Sequence, residues 1–134
     1  MKRLTFDHEH SYTSHRVTLP VRLIAPTGSR LIVTMLDTGA GISVFDNDLI
    51  SILEIPNIDS GERIELVVAS GETHTAYVHQ VEVVLLGQQL SIPVAFCPSW
   101  PSGTQNLLGM RGFLDQLVIG LDHAARQLLV SFRR

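Results

Sequence analysis

An aspartate, Asp37, stands between two apolar runs in the stretch from Leu31 to Phe45. Five of the six residues before it are apolar (Leu31, Ile32, Val33, Met35 and Leu36), a run that predicts a strand buried on both faces with the carboxylate at its end. Thr38 follows with a hydroxyl on a stiff β-branched side chain, and Gly39 permits a tight turn or a close backbone approach. The second run, Ile42 to Phe45, begins almost at once. Burial disfavours the charged form of a carboxylate, so an aspartate in this setting needs a partner or a shared proton. Asp-Thr-Gly by itself also serves as a plain turn, and the rest of the chain has to decide between the two readings.

Other side chains able to do chemistry are scattered. The segment from Met1 to Arg16 is polar and carries Asp7, His8, Glu9, His10 and His15, which is either a metal site or a solvated arm. Ligand sets need a rigid scaffold, and the sequence offers none there, so the solvated arm is the expectation and no metal is assigned. His123 beside Asp122 reads as a turn residue. There is no paired cysteine, no phosphate-binding glycine loop and no motif context for a Ser/His/Asp triad.

The elements that must position Asp37 read mostly as strands. Val17 to Ile24 partly alternates and carries Pro20, expected at an edge or bulge. Ala25 to Arg30 is rich in turn residues and closes a hairpin onto the strand that ends at Asp37. Asp46 or Asn47 is placed to cap a short helix over Asp48 to Leu53, with Ile50 and Leu53 inward and Pro56 beyond its end. Ile64 to Ala69 and His74 to Leu86 form a hairpin around Ser70-Gly71-Glu72-Thr73. Leu90 to Phe96 is a further strand, with Pro93 pointing to an edge. Trp100, in a Pro-flanked loop, either lines a pocket or packs over the sheet edge. Leu117 to Ile119 and Gln127 to Phe132 read as a strand, turn and strand.

Asp37-Thr38-Gly39-Ala40 after an apolar strand resembles the active-site loop of the retropepsin-like (retroviral-type) aspartic proteases. Two further features agree in type and order. Asn106-Leu107-Leu108-Gly109 is similar to the family's second signature, and Ala69-Ser70-Gly71-Glu72-Thr73 sits where its flap tip falls. The resemblance runs from about Val17 to Phe132, and implies a polar arm over residues 1–15 followed by one protease domain over residues 16–134. It implies a mainly β fold, a closed β-barrel with one or two short helices and a flap hairpin, one helix covering Met110 to Gln116.

By the same resemblance, the chemistry is hydrolysis of peptide bonds by two carboxylates that share one proton. The charged one draws a proton from water, and the protonated one donates to the scissile carbonyl. No cofactor is implied. This chain has one Asp-Thr-Gly, so the second carboxylate comes from a second copy, Asp37 meeting Asp37 at the axis of a homodimer. Thr38 and Gly39 support that site. Ala40, Ala69 to Thr73, Leu107 and Leu108 are the expected substrate contacts, with Leu36 beside them, for an extended peptide. Gly41 and Met110 stand where viral members carry an Asp and an Arg that brace their dimer. The chain is therefore closer to cellular and bacterial members, with a weakly held dimer expected.

Composition bounds the alternatives. The 134 residues suit one domain, 45% of them hydrophobic, and the mean hydropathy of +0.22 leaves apolar surface for a subunit interface. A net charge of −3 and a pI near 6.0 give no reason to expect nucleic acid or an anionic membrane as partner. No segment approaches 18 uninterrupted apolar residues, the first 15 have no apolar core of a secretory signal, and Cys97 is alone, so a cytoplasmic location is the expectation. Beside the endopeptidase stand two other readings. One is a non-catalytic dimerisation or peptide-binding module on the same fold, and the other is an unrelated β-domain.

Overall fold

The computed structural model describes residues Met1 to Arg133. Its strands are β1 (His8–Ser11), β2 (Thr18–Ala25), β3 (Gly28–Leu36), β4 (Ser43–Val44), β5 (Glu62–Val67), β6 (Thr73–Leu85), β7 (Gln88–Phe96), β8 (Asn106–Leu108), β9 (Leu117–Asp122) and β10 (Gln127–Phe132). One short helix, α1 (Leu49–Ile52), follows β4. Six strands close a barrel in the order β2-β3-β8-β4-β7-β6, the ring completed where Arg22 to Ile24 of β2 pair with Glu82 to Val84 of β6. This is the mainly β barrel of the acid protease fold.

Period-two alternation drives the closure. Leu19, Val21 and Leu23 on β2, Val81, Val83 and Leu85 on β6, and Ile92, Val94 and Phe96 on β7 all point into one core. Phe45, Leu108 and Phe113 fill the same core. A second, smaller cluster lies on the opposite faces of β6 and β7, from Ala76, Val78, Ala95 and Cys97, with Ile42 and Val44. The β5–β6 hairpin covers it through Ile64 and Leu66, and Trp100 packs against it as well.

Burial on both faces therefore belongs to β7, where Ile92 to Cys97 are all buried, and not to β3 as the apolar run had suggested. On β3, Ile32 and Thr34 face the core while Leu31 and Val33 are 58% and 64% exposed. No second layer covers that face of β3, whereas the hairpin supplies one for β7. Pro93 keeps its expected edge character only locally, since β4 pairs with β7 at Val94 and Ala95 and β6 is the strand partner at Pro93.

The N-terminal segment also departs from its expectation. His8 to Ser11 form a strand on β10, giving a three-stranded sheet in the order β1-β10-β9, and Tyr12 is buried with its hydroxyl 2.7 Å from Nδ1 of His123. Pairing with β10 satisfies the backbone that a polar composition had left for water. His10 is spent on the carbonyl of Thr18, and His8 packs edge-on against Phe132.

Two further differences are local. At the start of α1, Asp48 occupies the cap position and makes no side-chain cap bond; the Asp46 carboxylate accepts the Asp48 N–H instead, at 3.2 Å. Met110 to Gln116 is not an α-helix but a turn and a single 3-10 turn at Leu114–Gln116. Gly112 breaks the helix with φ of +79°, and a side chain there would strike the Pro93 ring.

A close backbone approach lies where the chain crosses itself. β8 inserts parallel to β3 and touches β4, so that Gly109 lies against the backbone of Ala40 and Ile42. A Cβ at Gly109 would sit 2.5 Å from the carbonyl carbon of Ile42 and 2.7 Å from the oxygen of Ala40. Gly109→Ala is accordingly expected to cost about 1–3 kcal/mol in chemical denaturation, because backbone and not a side chain must move. Gly41→Ala, whose Cβ meets nothing within 4 Å, is the control and should be close to neutral.

Candidate active site

Leu36 ends β3, and the chain turns at once. The Asp37 N–H donates to the carbonyl of Leu108 at 2.9 Å, the Ala40 N–H donates back to the Asp37 carbonyl at 3.2 Å, and the Gly39 N–H donates to Asp37 Oδ1 at 2.8 Å. The carboxylate is thereby oriented by its own loop. It is half-buried at the end of an otherwise apolar strand, and Oδ1 is the oxygen its loop holds.

Three further bonds stitch the loop to the segment after β8. Met110 N–H donates to Ala40 carbonyl and Arg111 N–H to Gly41 carbonyl, both at 2.9 Å, and Gly109 N–H donates to the hydroxyl of Ser43 at 3.0 Å. Ser43 is fully buried. Sequence reasoning did not single it out, although a hydroxyl inside the run Ile42 to Phe45 is the signal, since a buried hydroxyl requires a partner. A second buried hydroxyl, Thr34 on β3, donates to the Leu19 carbonyl at 2.8 Å and ties β3 to β2 just before the turn.

Asp37 opens into a cleft of about 730 Å³. Its floor includes Gly39, Ala40, Gly41 and Leu107, and its far wall is the β5 side of the hairpin from Ile64 to Ala69. Val44, Trp100 and Arg111 close the sides, so the tryptophan lines the pocket and also packs against the smaller cluster. His74, at the start of β6, stands edge-on to Trp100 and lies 3.2 Å from the Ser99 hydroxyl, tying the hairpin to the tryptophan loop.

The expected contact residues divide. Ala40, Ala69 and Leu107 line the cleft. Ser70 to Thr73 form the exposed hairpin end beyond its wall, with the turn closed by the Gly71 N–H on the Val68 carbonyl at 2.8 Å. Leu108 faces the core, and its contribution is the carbonyl that holds Asp37. Thr38 is exposed beside the carboxylate. Arg111, Ile64, Leu66 and Trp100 also line the cleft, Ile64 and Leu66 from the hairpin, Trp100 from its loop and Arg111 from the segment just after β8, none of them marked as a contact by the local sequence.

The charged groups of the cleft are Asp37, Glu65 and Arg111. Glu65 is held by the Thr75 hydroxyl at 3.0 Å and lies 3.6 Å from Arg63. The Arg111 guanidinium lies 3.3 Å from Glu62 on β5. Among the described residues, no group of three or more His, Cys, Asp or Glu could hold a metal ion, and no helix is long and apolar enough to cross a membrane.

None of the curated proteins matches the sequence. A protein-family model described as aspartyl protease matches residues 20–112, a span that contains the Asp37 loop, the hairpin and the Gly109 crossing. With more than half of its length under that match and the acid protease barrel around Asp37, the chain belongs to the aspartyl proteases of the retropepsin-like clan.

Proposed function

We propose that the protein is an aspartic endopeptidase whose catalytic dyad forms across a homodimer. The observation that carries this reading is the single Asp37 carboxylate, oriented by Gly39 and opening into a largely apolar cleft walled by a hairpin. One such carboxylate is half of the machinery. Two of them close to a two-fold axis share a proton, because like charges at short range do not both ionise. The ionised member takes a proton from water as the water attacks the carbonyl carbon. The protonated member donates to the carbonyl oxygen and leaves a tetrahedral gem-diol, which collapses as the amine departs with a proton.

In this reading Thr38, exposed beside Asp37, hydrogen-bonds across the axis to the partner loop. The β5–β6 hairpin acts as the flap, and its exposed end from Ser70 to Thr73 reaches substrate when it closes. An extended peptide lies along β5 and takes side chains into the Ile64, Leu66 and Trp100 pockets. A reducing, cytoplasmic compartment is part of the proposal, resting on a lone Cys97 buried in the smaller cluster.

Cleavage of a peptide library is the direct test. Asp37→Asn should lower turnover by on the order of 10³-fold while leaving the fold intact by circular dichroism. Full activity of the pure variant ends the proposal, and binding without cleavage by the wild type leaves a peptide-binding module.

Assembly is tested by dilution. Specific activity should rise with protein concentration and reach a plateau as the mass approaches twice 14.8 kDa. With Gly41 and Met110 in place of the viral brace, the midpoint should lie at high concentration. An active monomer at every dilution contradicts the shared dyad.

The pH profile follows from the shared proton. Fully protonated and fully ionised dyads are both inactive, so activity should trace a bell against pH. A chelator should leave it unchanged. A flat profile through acid pH together with strict dependence on added zinc would require a different mechanism.

A further inference from the structure

We propose that Arg111 sets the specificity of the cleft, selecting extended peptides with an acidic side chain on each side of the cleaved bond. The inference rests on the two-fold protease reading and names the substrate class for that same site. Arg111 is the one cationic side chain lining the cleft among the described residues. Its main chain is fixed to the active-site loop by its N–H on the Gly41 carbonyl at 2.9 Å, part of a parallel bridge to Ile42. A charge anchored to the same loop as Asp37 holds a constant register to the reacting bond.

The guanidinium is available. Its partner in the chain, Glu62, lies 3.3 Å away, and the two side chains are 55% and 60% exposed. An ion pair this open to water contributes little, so Glu62 is a placeholder that a substrate carboxylate displaces. Glu62 does not itself line the cleft. Glu65, which does, already has Arg63 at 3.6 Å and the Thr75 hydroxyl at 3.0 Å. The rest of the wall is largely apolar, from Ile42, Val44, Ile64, Leu66 and Trp100. A peptide laid in this groove meets greasy pockets and one planar cation that can bind a carboxylate through two parallel hydrogen bonds. The two-fold axis repeats Arg111 on the other side of the dyad, so the acidic preference appears on both sides of the scissile bond.

The test compares kcat/KM for peptides that share an apolar cleavage site and carry Glu, Gln or Lys at the flanking positions. Glu peptides should exceed Gln peptides by roughly 5- to 10-fold. Arg111→Glu should reverse the order and favour Lys, and if that variant does not fold, Arg111→Gln should erase the Glu advantage. Glu62→Gln removes the competitor from outside the cleft, so it should raise turnover of Glu peptides by about 2- to 3-fold and leave Gln peptides unchanged. A pair that merely braces the hairpin would instead make Glu62→Gln lower all three peptides alike, which overturns the proposal, as does equal turnover of Glu and Gln peptides by the wild type. Anisotropy of the same peptides, fluorescein-labelled, on Asp37→Asn protein ranks binding without turnover. Absence of cleavage by the wild type then counts against the protease reading alone, while the Glu-over-Gln binding ratio decides the role of Arg111.

Discussion

The backbone crossing between the Asp37 loop and the segment after β8 is the constraint on which the rest of the site depends. Gly109 is pressed against the main chain of Ala40 and Ile42, with no room for a Cβ. That contact brings Leu108, Gly109, Met110 and Arg111 within hydrogen-bond reach of Asp37, Ser43, Ala40 and Gly41 in turn. These bonds pair the backbone groups of the two segments with each other, so the loop has little freedom to drift. The rigidity of the Asp37 loop thus comes from backbone bonds that tie it to the segment after β8.

The barrel and the cleft divide the apolar residues of the same strands. On β6 and β7, one parity faces the barrel core and the other faces the smaller cluster under the hairpin. The hairpin is therefore both the cover of that cluster and the wall of the cleft. Ile64 and Leu66 are half-buried and belong to both, covering the smaller cluster while lining the cleft. His74 and Trp100 hold the other end of this arrangement by an edge-on contact.

Charge is sparse in the cleft and each charged group has a defined setting. Asp37 is oriented by Gly39, Glu65 by Thr75, and Arg111 is paired only with the exposed Glu62. The Arg111 guanidinium turns toward β5, so its charge pair joins the hairpin to the segment after β8.

Much of this was legible in the chain itself. Asp37-Thr38-Gly39 behind an apolar strand, the hairpin, and Leu107-Leu108-Gly109 are local patterns, and local patterns survive being read in one dimension: alternation, turn residues and a glycine at a crossing. The β2–β3 hairpin, α1 and the long β6 strand were readable for the same reason. What a strand packs against is not local. The run Leu31 to Leu36 has the composition of a strand buried on both faces, yet Leu31 and Val33 face outward because nothing is layered over β3. Polar His8 to Ser11 form a strand because β10, more than a hundred residues later, offers an unpaired edge. Ser43 and Arg111 reach the site through bonds to residues far away in sequence, and Gly112 ends a helix that the resemblance had implied because Pro93 occupies its space. The sequence by itself determined the Asp37 loop, the strand before it and the barrel class around it. The tertiary structure alone decided which faces are covered and which distant side chains share the cleft, since burial and charge pairing depend on what the closed barrel brings together.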